Sequence, residues 1–230
     1  VTKRLARQKA APAFALLDIS TQEQALVQLA KLTAEDTFDP IVRRAAIKIV
    51  RKCKARDDVC ELSALFEAVK HGDKQIPGLE NGVKYMSDNF WVDGFVSPAQ
   101  MLRDCEAGAC AEDCDSQGAL MAALAGSLGF RVGVRAWGPS GESGFAHIYA
   151  VAIVPKDEPD LSKCYEFGLD TSADVGDSHA GWQPDEGNVA TAWITGDDFE
   201  KSPEWSRGQA PAAASGRDPY EDDEDDEAEA

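Results

Sequence analysis

No stretch of this 230-residue chain approaches the run of ~20 apolar residues that a membrane-spanning helix requires, so no membrane partner is expected. Basic residues are scarce as well. The 23 Lys and Arg against 41 Asp and Glu leave a formal net charge of −18, the wrong sign for gripping a phosphate backbone, and nucleic acid is excluded as an expected partner. Half of that excess sits in 218–230, which holds nine acids and no base. Its spacing is not that of a calcium loop. No internal repeat is visible. Six cysteines are too few for a small disulfide-held scaffold, and none shows the paired C-x-x-C spacing of structural zinc.

These absences lead to the expectation of a soluble cytoplasmic protein with mostly reduced thiols, no cofactor and no metal. Cys53 and Cys60 straddle a turn between two helices, and Cys105 and Cys110 share a short loop. A bridge is geometrically conceivable at both places, but packing and idle thiols are the expectation in a reducing cell. A virion-associated or exported protein is the alternative. Val1 to Lys9 is basic and Ala10 to Leu17 apolar, as in a secretion signal, yet the apolar run is short, contains Pro12 and lacks a small-x-small cleavage site.

What is present reads as one domain over 20–200, between a basic segment over 1–19 and a disordered acidic tail over 201–230. A helical lead-in occupies 20–72. Ser20 with Glu23 marks one helix start, with Ala25, Leu26, Leu29 and Leu32 on its apolar face. Asp39-Pro40 opens a second helix with Ile41, Ala45, Ile49 and Cys53 inward. Asp58 with Glu61 starts a third, which buries Leu62, Leu65, Phe66 and Val69 and stops near Gly72.

A core over 83–184 follows. Val83 to Ser87 is read as a short strand, Asn89 to Gly94 as a loop, and Ser97-Pro98 as the start of a short helix to about Asp104. Asp113 caps a helix whose body from Ala119 to Leu128 is small and apolar, with Gly129 as its stop. Cys114 lies in its first turn, where unpaired NH groups and the helix dipole favour thiolate over thiol. Phe130 to Trp137, Gly144 to Val154 and Cys164 to Thr171 alternate as strands, and a further short element is expected around Thr191-Ala-Trp-Ile194. Helices followed by an antiparallel meander, with one helix laid on the sheet, give an α+β fold.

Pairing Val154 with Lys163 around the turn-rich Pro155 to Leu161 places His147 directly opposite Asp170. Facing Cβ atoms on such a pair are roughly 5 Å apart, within reach of an imidazole–carboxylate hydrogen bond. Cys114, His147 and Asp170 thus form a candidate nucleophile, base and orienting acid. His179, Asp174 and Asp177 compete for the latter roles from a polar loop without alternation, and His71 ends a helix where the dipole accounts for it. Zinc on Cys105, Cys110, Cys114 and His147 is a further alternative, with gaps of five and four that fit structural zinc poorly. The aspartates beside Cys114 oppose a thiolate, and the ion pair with His147 is expected to outweigh them.

Val83-Lys-Tyr-Met-Ser-Asp88, Ser97-Pro-Ala-Gln-Met-Leu102, Asp113-Cys-Asp-Ser116, Phe145-Ala-His-Ile-Tyr149 and Gly168-Leu-Asp-Thr171 together resemble the bacterial and phage branch of the transglutaminase-like superfamily, over roughly 58–184. The resemblance implies a papain-like fold and a cysteine hydrolase or acyltransferase acting on a protein or peptide amide. In it Cys114 is the nucleophile, His147 the general base and then acid, and Asp170 the group that orients the ring. Gly181-Trp-Gln-Pro184 also looks like the family, with Trp182 expected as a wall of the site. Where family members usually carry Gly-Asp-Cys-Asp-Asp, this chain has Glu112-Asp-Cys-Asp-Ser116. Hydrolysis is expected over crosslinking, and oligomeric state is left open. A non-catalytic binding or assembly module, such as a phage morphogenesis component, is the alternative function.

Overall fold

A computed structural model describes residues 14–16, 22–87, 94–140, 144–172, 179–184 and 187–194. The expected Ser20 cap, most of the basic 1–19 segment, the Asn89 to Asp93 loop and the 201–230 tail lie outside the described residues.

Strand β1 (Phe14–Leu16) precedes helix α1 (Gln22–Asp36), which buries Leu26, Leu29 and Leu32 as its periodicity predicts. Helix α2 (Pro40–Val50) starts where expected: the Asp39 carboxylate accepts the Ile41 N–H at 2.8 Å, and Pro40 occupies the first turn. Its buried face is Val42, Ala45, Ala46 and Ile49, with Ile41 only partly covered. Helix α3 (Asp58–Lys70) is capped one residue earlier than predicted. Asp57 accepts the Cys60 N–H at 3.1 Å, because the Asp58 carboxylate is taken by the Lys156 N–H at 2.7 Å from a distant loop.

Strand β2 (Lys84–Tyr85), strand β3 (Gly94–Val96), helix α4 (Pro98–Glu106) and strand β4 (Ala111–Glu112) lead to helix α5 (Cys114–Ser127). Two short pairings brace this approach. Strand β2 runs parallel to β4, and β3 pairs antiparallel with β1, drawing Phe14–Leu16 out of the segment read as a basic extension. Every side chain from Ala119 to Ala125 is at 0% exposure, and a helix apolar on all sides must be wrapped on all sides. Helices α1 to α4 contact α5 from one direction, and the sheet covers the other.

That sheet comprises β5 (Arg131–Gly138), β6 (His147–Val154), β7 (Tyr165–Leu169) and β8 (Asn188–Trp193). It is antiparallel, in the order β7-β6-β5-β8, among the described residues. The element expected around Thr191 is therefore a strand on the edge beside β5. The described residues thus form an α+β fold, with α5 between a helical layer and an antiparallel sheet.

Two expectations are corrected. Val154 pairs with Tyr165, two residues beyond Lys163, because a 3₁₀ turn at Leu161–Lys163 removes Lys163 from the ladder; Asp160 caps that turn, accepting the Ser162 N–H at 3.1 Å. The cysteines are also not mostly reduced. Cys53 and Cys60 form a disulfide, as do Cys105 and Cys110, and the free thiols among the described residues are Cys114 and Cys164. The first bridge ties the end of α2 to the start of α3, and the second closes the turn between α4 and β4.

Candidate active site

Cys114 is the first residue of α5, and the loop that delivers it is held from several sides. Asp113 caps the helix, accepting the Ser116 N–H at 3.3 Å, and Ser116 Oγ accepts the Val96 N–H of β3 at 3.2 Å. Gln117 Nε2 donates to the Glu112 carbonyl at 2.9 Å, while its Oε1 accepts the Thr171 hydroxyl at 3.2 Å. A single amide thereby links the loop before Cys114 to the segment that bears Asp170. Gln117 is 1% exposed. Its signal in the sequence is a lone amide at the head of an otherwise apolar helix.

His147 opens β6, and Asp170 follows the last residue of β7. Their side chains meet, with His147 Nε2 2.7 Å from Asp170 Oδ2. The acid is almost wholly buried, and its second oxygen accepts the Ser172 N–H at 3.2 Å and the Ser172 hydroxyl at 3.1 Å. With Nε2 committed to Asp170, Nδ1 is the ring nitrogen left for Cys114. The structure thus brings together all three residues of the expected relay.

Behind the imidazole lies a buried polar cluster that strand alternation did not reveal. The Tyr149 ring stacks on His147, centroids 6.2 Å apart at 23°. Across the ladder from Tyr149 is Arg135, only 4% exposed. Its guanidinium makes a two-pronged contact with Glu166 at 2.6 and 2.8 Å, and donates to Gln183 Oε1 at 2.9 Å and Thr191 Oγ1 at 2.7 Å. Gln183 belongs to a segment crossing the sheet at Gly168, where an added Cβ would lie 2.1 Å from the Trp182 carbonyl oxygen. The close crossing requires glycine there.

The electrostatics are uneven. Burial pulls the His147 pKa down, but the hydrogen bonds to Asp170 and then Cys114, with the charges of both, outweigh it and push it up to about 10. Asp115 is driven up to about 9, first by burial, then by its hydrogen bond to Asp113 and the charges of Asp113 and Cys114. At neutral pH one of the two aspartates beside the sulfur therefore keeps its proton. Asp115 Oδ1 is buried and makes no hydrogen bond.

A groove of about 230 Å³ opens beside Cys114, between α1, the start of α5 and the start of β6. Cys114, His147, Asp113 and Asp115 all line it. Trp182 is not among its lining residues; the Trp182 segment packs over Gly168 instead. His71 caps the exposed end of α3, and His179 is exposed with its ring held to the Ala180 carbonyl at 2.9 Å. Asp174 and Asp177 lie outside the described residues. The zinc alternative fails on bonding, since Cys105 and Cys110 are joined to each other and offer no thiolate. Compared with known proteins, the chain matches no family model and no curated protein.

Proposed function

We propose that this chain catalyses cysteine-dependent acyl transfer at a protein or peptide amide through a thioester. The observation that carries the reading is the 2.7 Å contact between His147 Nε2 and the buried Asp170, with Cys114, at the start of α5, lining the same groove as the ring. The motifs shared with the transglutaminase-like superfamily support it, and a papain-like arrangement of a nucleophile helix against an antiparallel sheet fits the element order.

In the first step the thiol proton resides on His147 and Cys114 Sγ attacks the carbonyl carbon, forming the S–C bond. The developing oxyanion is met by the Cys114 N–H, the first donor of the helix. Collapse breaks the C–N bond. His147 Nδ1–H delivers its proton to the departing amine, and an acyl thioester remains on Cys114. Water, deprotonated by the same nitrogen, then attacks the thioester and releases a carboxylic acid and the free thiol. Asp170 fixes the tautomer throughout, and Tyr149 holds the plane of the ring. Hydrolysis is the favoured outcome, with transfer to an amine as the variant route.

The two disulfides favour an exported or virion-associated protein over a cytoplasmic one, because such bonds persist where the surroundings oxidise. The direct test is alkylation with iodoacetamide at pH 6, mapped by peptide mass spectrometry. Cys114 is expected to react at least tenfold faster than Cys164. Equal rates would replace the enzyme by a non-catalytic module that keeps the fold.

A further inference from the structure

Three elements contribute apolar side chains to the groove beside the nucleophile. Leu26 and Leu29 come from α1, Phe95 from β3, and Phe145 with Ile148 from the entry to β6 and the strand itself. Two of the lining residues are tied together: Gln22 Oε1 accepts the Phe145 N–H at 2.9 Å, and Gln22 Nε2 donates to the Phe145 carbonyl at 3.2 Å. This one side chain binds another residue's main chain as a neighbouring strand would. A groove formed before its ligand arrives spares the ligand the cost of ordering it.

Charge is confined to the end nearest the sulfur. Among the described lining residues there is no Lys or Arg, and the acids are Asp113 and Asp115. Burial and the charge of Asp113 leave Asp115 protonated at neutral pH, so that end is not a doubly negative socket for a cation. An acidic side chain entering it would lose water and face Asp113, while the cationic His147 at the same end is already paired with Asp170 at 2.7 Å. About 150 Å³ of apolar cavity is enough to hold a benzene ring, so 230 Å³ accommodates a large aliphatic or aromatic side chain.

We infer that this groove takes a single uncharged, apolar side chain, leucine- to phenylalanine-sized, on the residue that supplies the scissile carbonyl, and turns acidic ones away. The inference rests on the acyl-transfer reading and specifies its acyl donor.

The test uses peptidyl chloromethyl ketones that differ only in the side chain beside the warhead: Leu, Phe, Gly, Lys or Glu. Each reaction forms a bond from Cys114 Sγ to the methylene carbon and expels chloride, and every rate is divided by that of iodoacetamide on the same protein. Leu and Phe probes are expected to label Cys114 at least tenfold faster than Gly and Glu probes, with Lys below both apolar ones. In Ala25→Phe, and in the milder Ala25→Leu, the added side chain occupies the groove and the preference should fall to about twofold or less. A flat series, a lead for Lys or Glu, or a preference that survives both fillings would overturn the assignment. Should iodoacetamide find Cys114 no faster than Cys164, the acyl-transfer reading fails instead. The groove is then judged by NMR titration of Cys114→Ala with the matching peptide amides, where shifts at Leu29 and Ile148 for Leu and Phe alone uphold it and their absence refutes it.

Discussion

Asp170 reaches His147 on a diagonal. The last paired residues of β6 and β7 are Ala150 and Leu169, so one further step along the ladder sets Asp170 across from Tyr149. The 2.7 Å contact with His147 thus spans to the next residue on the same face, past the Tyr149 ring that stacks on the imidazole. Diagonal neighbours on a sheet lie farther apart than facing ones, within reach of long and aromatic side chains. The same offset lets Tyr149 back the ring while Asp170 holds its edge.

If Asp170 works by orienting the ring, Asp170→Asn should keep the fold and lose the reaction. A loss in kcat on the order of 10⁴-fold is expected from the wrong tautomer, the size seen when the equivalent acid is altered in a serine-type triad. Cys114→Ala should abolish turnover with an unchanged Tm. Steady-state kinetics on a peptide substrate, with circular dichroism as the control, decide both, and residual turnover in Cys114→Ala would remove Cys114 from its role.

Asp115 gives stability a pH dependence. Its pKa rises from 3.8 to about 9 in the folded protein, so folding favours the protonated form. That contribution is fully present below 3.8 and is lost as pH rises through about 9. Asp115→Asn keeps a donor for Asp113 and cannot ionise. It should unfold at higher urea than wild type at pH 8, with the gap closing toward pH 4. A gap independent of pH would mean that the carboxyl is already ionised in the native state.

Thiol counting addresses the bridges. Without reductant, the denatured protein should show two reactive thiols, Cys114 and Cys164, and six after reduction. The loops closed are short, and each bridge is worth about 2 kcal/mol by loop-closure entropy. The Cys53→Ser, Cys60→Ser double variant should therefore melt roughly 4–8 °C lower. Six reactive thiols in the unreduced protein would exclude both bridges.

Glu166→Gln leaves the guanidinium of Arg135 buried with its countercharge gone. Removing one partner of a buried pair costs about 3 kcal/mol, somewhat less here because Glu166 keeps 22% of its surface in water. Urea denaturation should register that loss. Replacing both Arg135 and Glu166 by methionine should recover part of it, and a null effect in Glu166→Gln would show that Gln183 and Thr191 suffice.

The caps and the periodicities were legible from residue types. Asp39-Pro40 and Asp113 begin helices because their carboxylates accept early N–H groups. His147 and Asp170 share a face, as alternation predicts, because the offset of two residues between the expected and the observed register preserves the period of a strand. The error itself arose in the ten-residue connection 155–164, where a capped 3₁₀ turn absorbs residues that alternation assigns to β7. Strand alternation leaves Arg135 and Glu166 unmarked, since the crossing segment at Gly181 to Gln183 encloses them and no local pattern announces it. The disulfides follow from which thiols the turns bring together, which composition does not specify.

Gly118 lies one turn past the sulfur, and a Cβ there would sit 3.2 Å from the Tyr149 Cα. The gap between the Cys114 helix and the His147 strand is thus calibrated by a missing methyl group. A side chain at this position would press as a wedge on the Tyr149 backbone, changing the spacing of Cys114 and His147 by a few tenths of an ångström while all three residues of the site are retained. The tolerance of the proposed chemistry is set at a residue that takes no part in it.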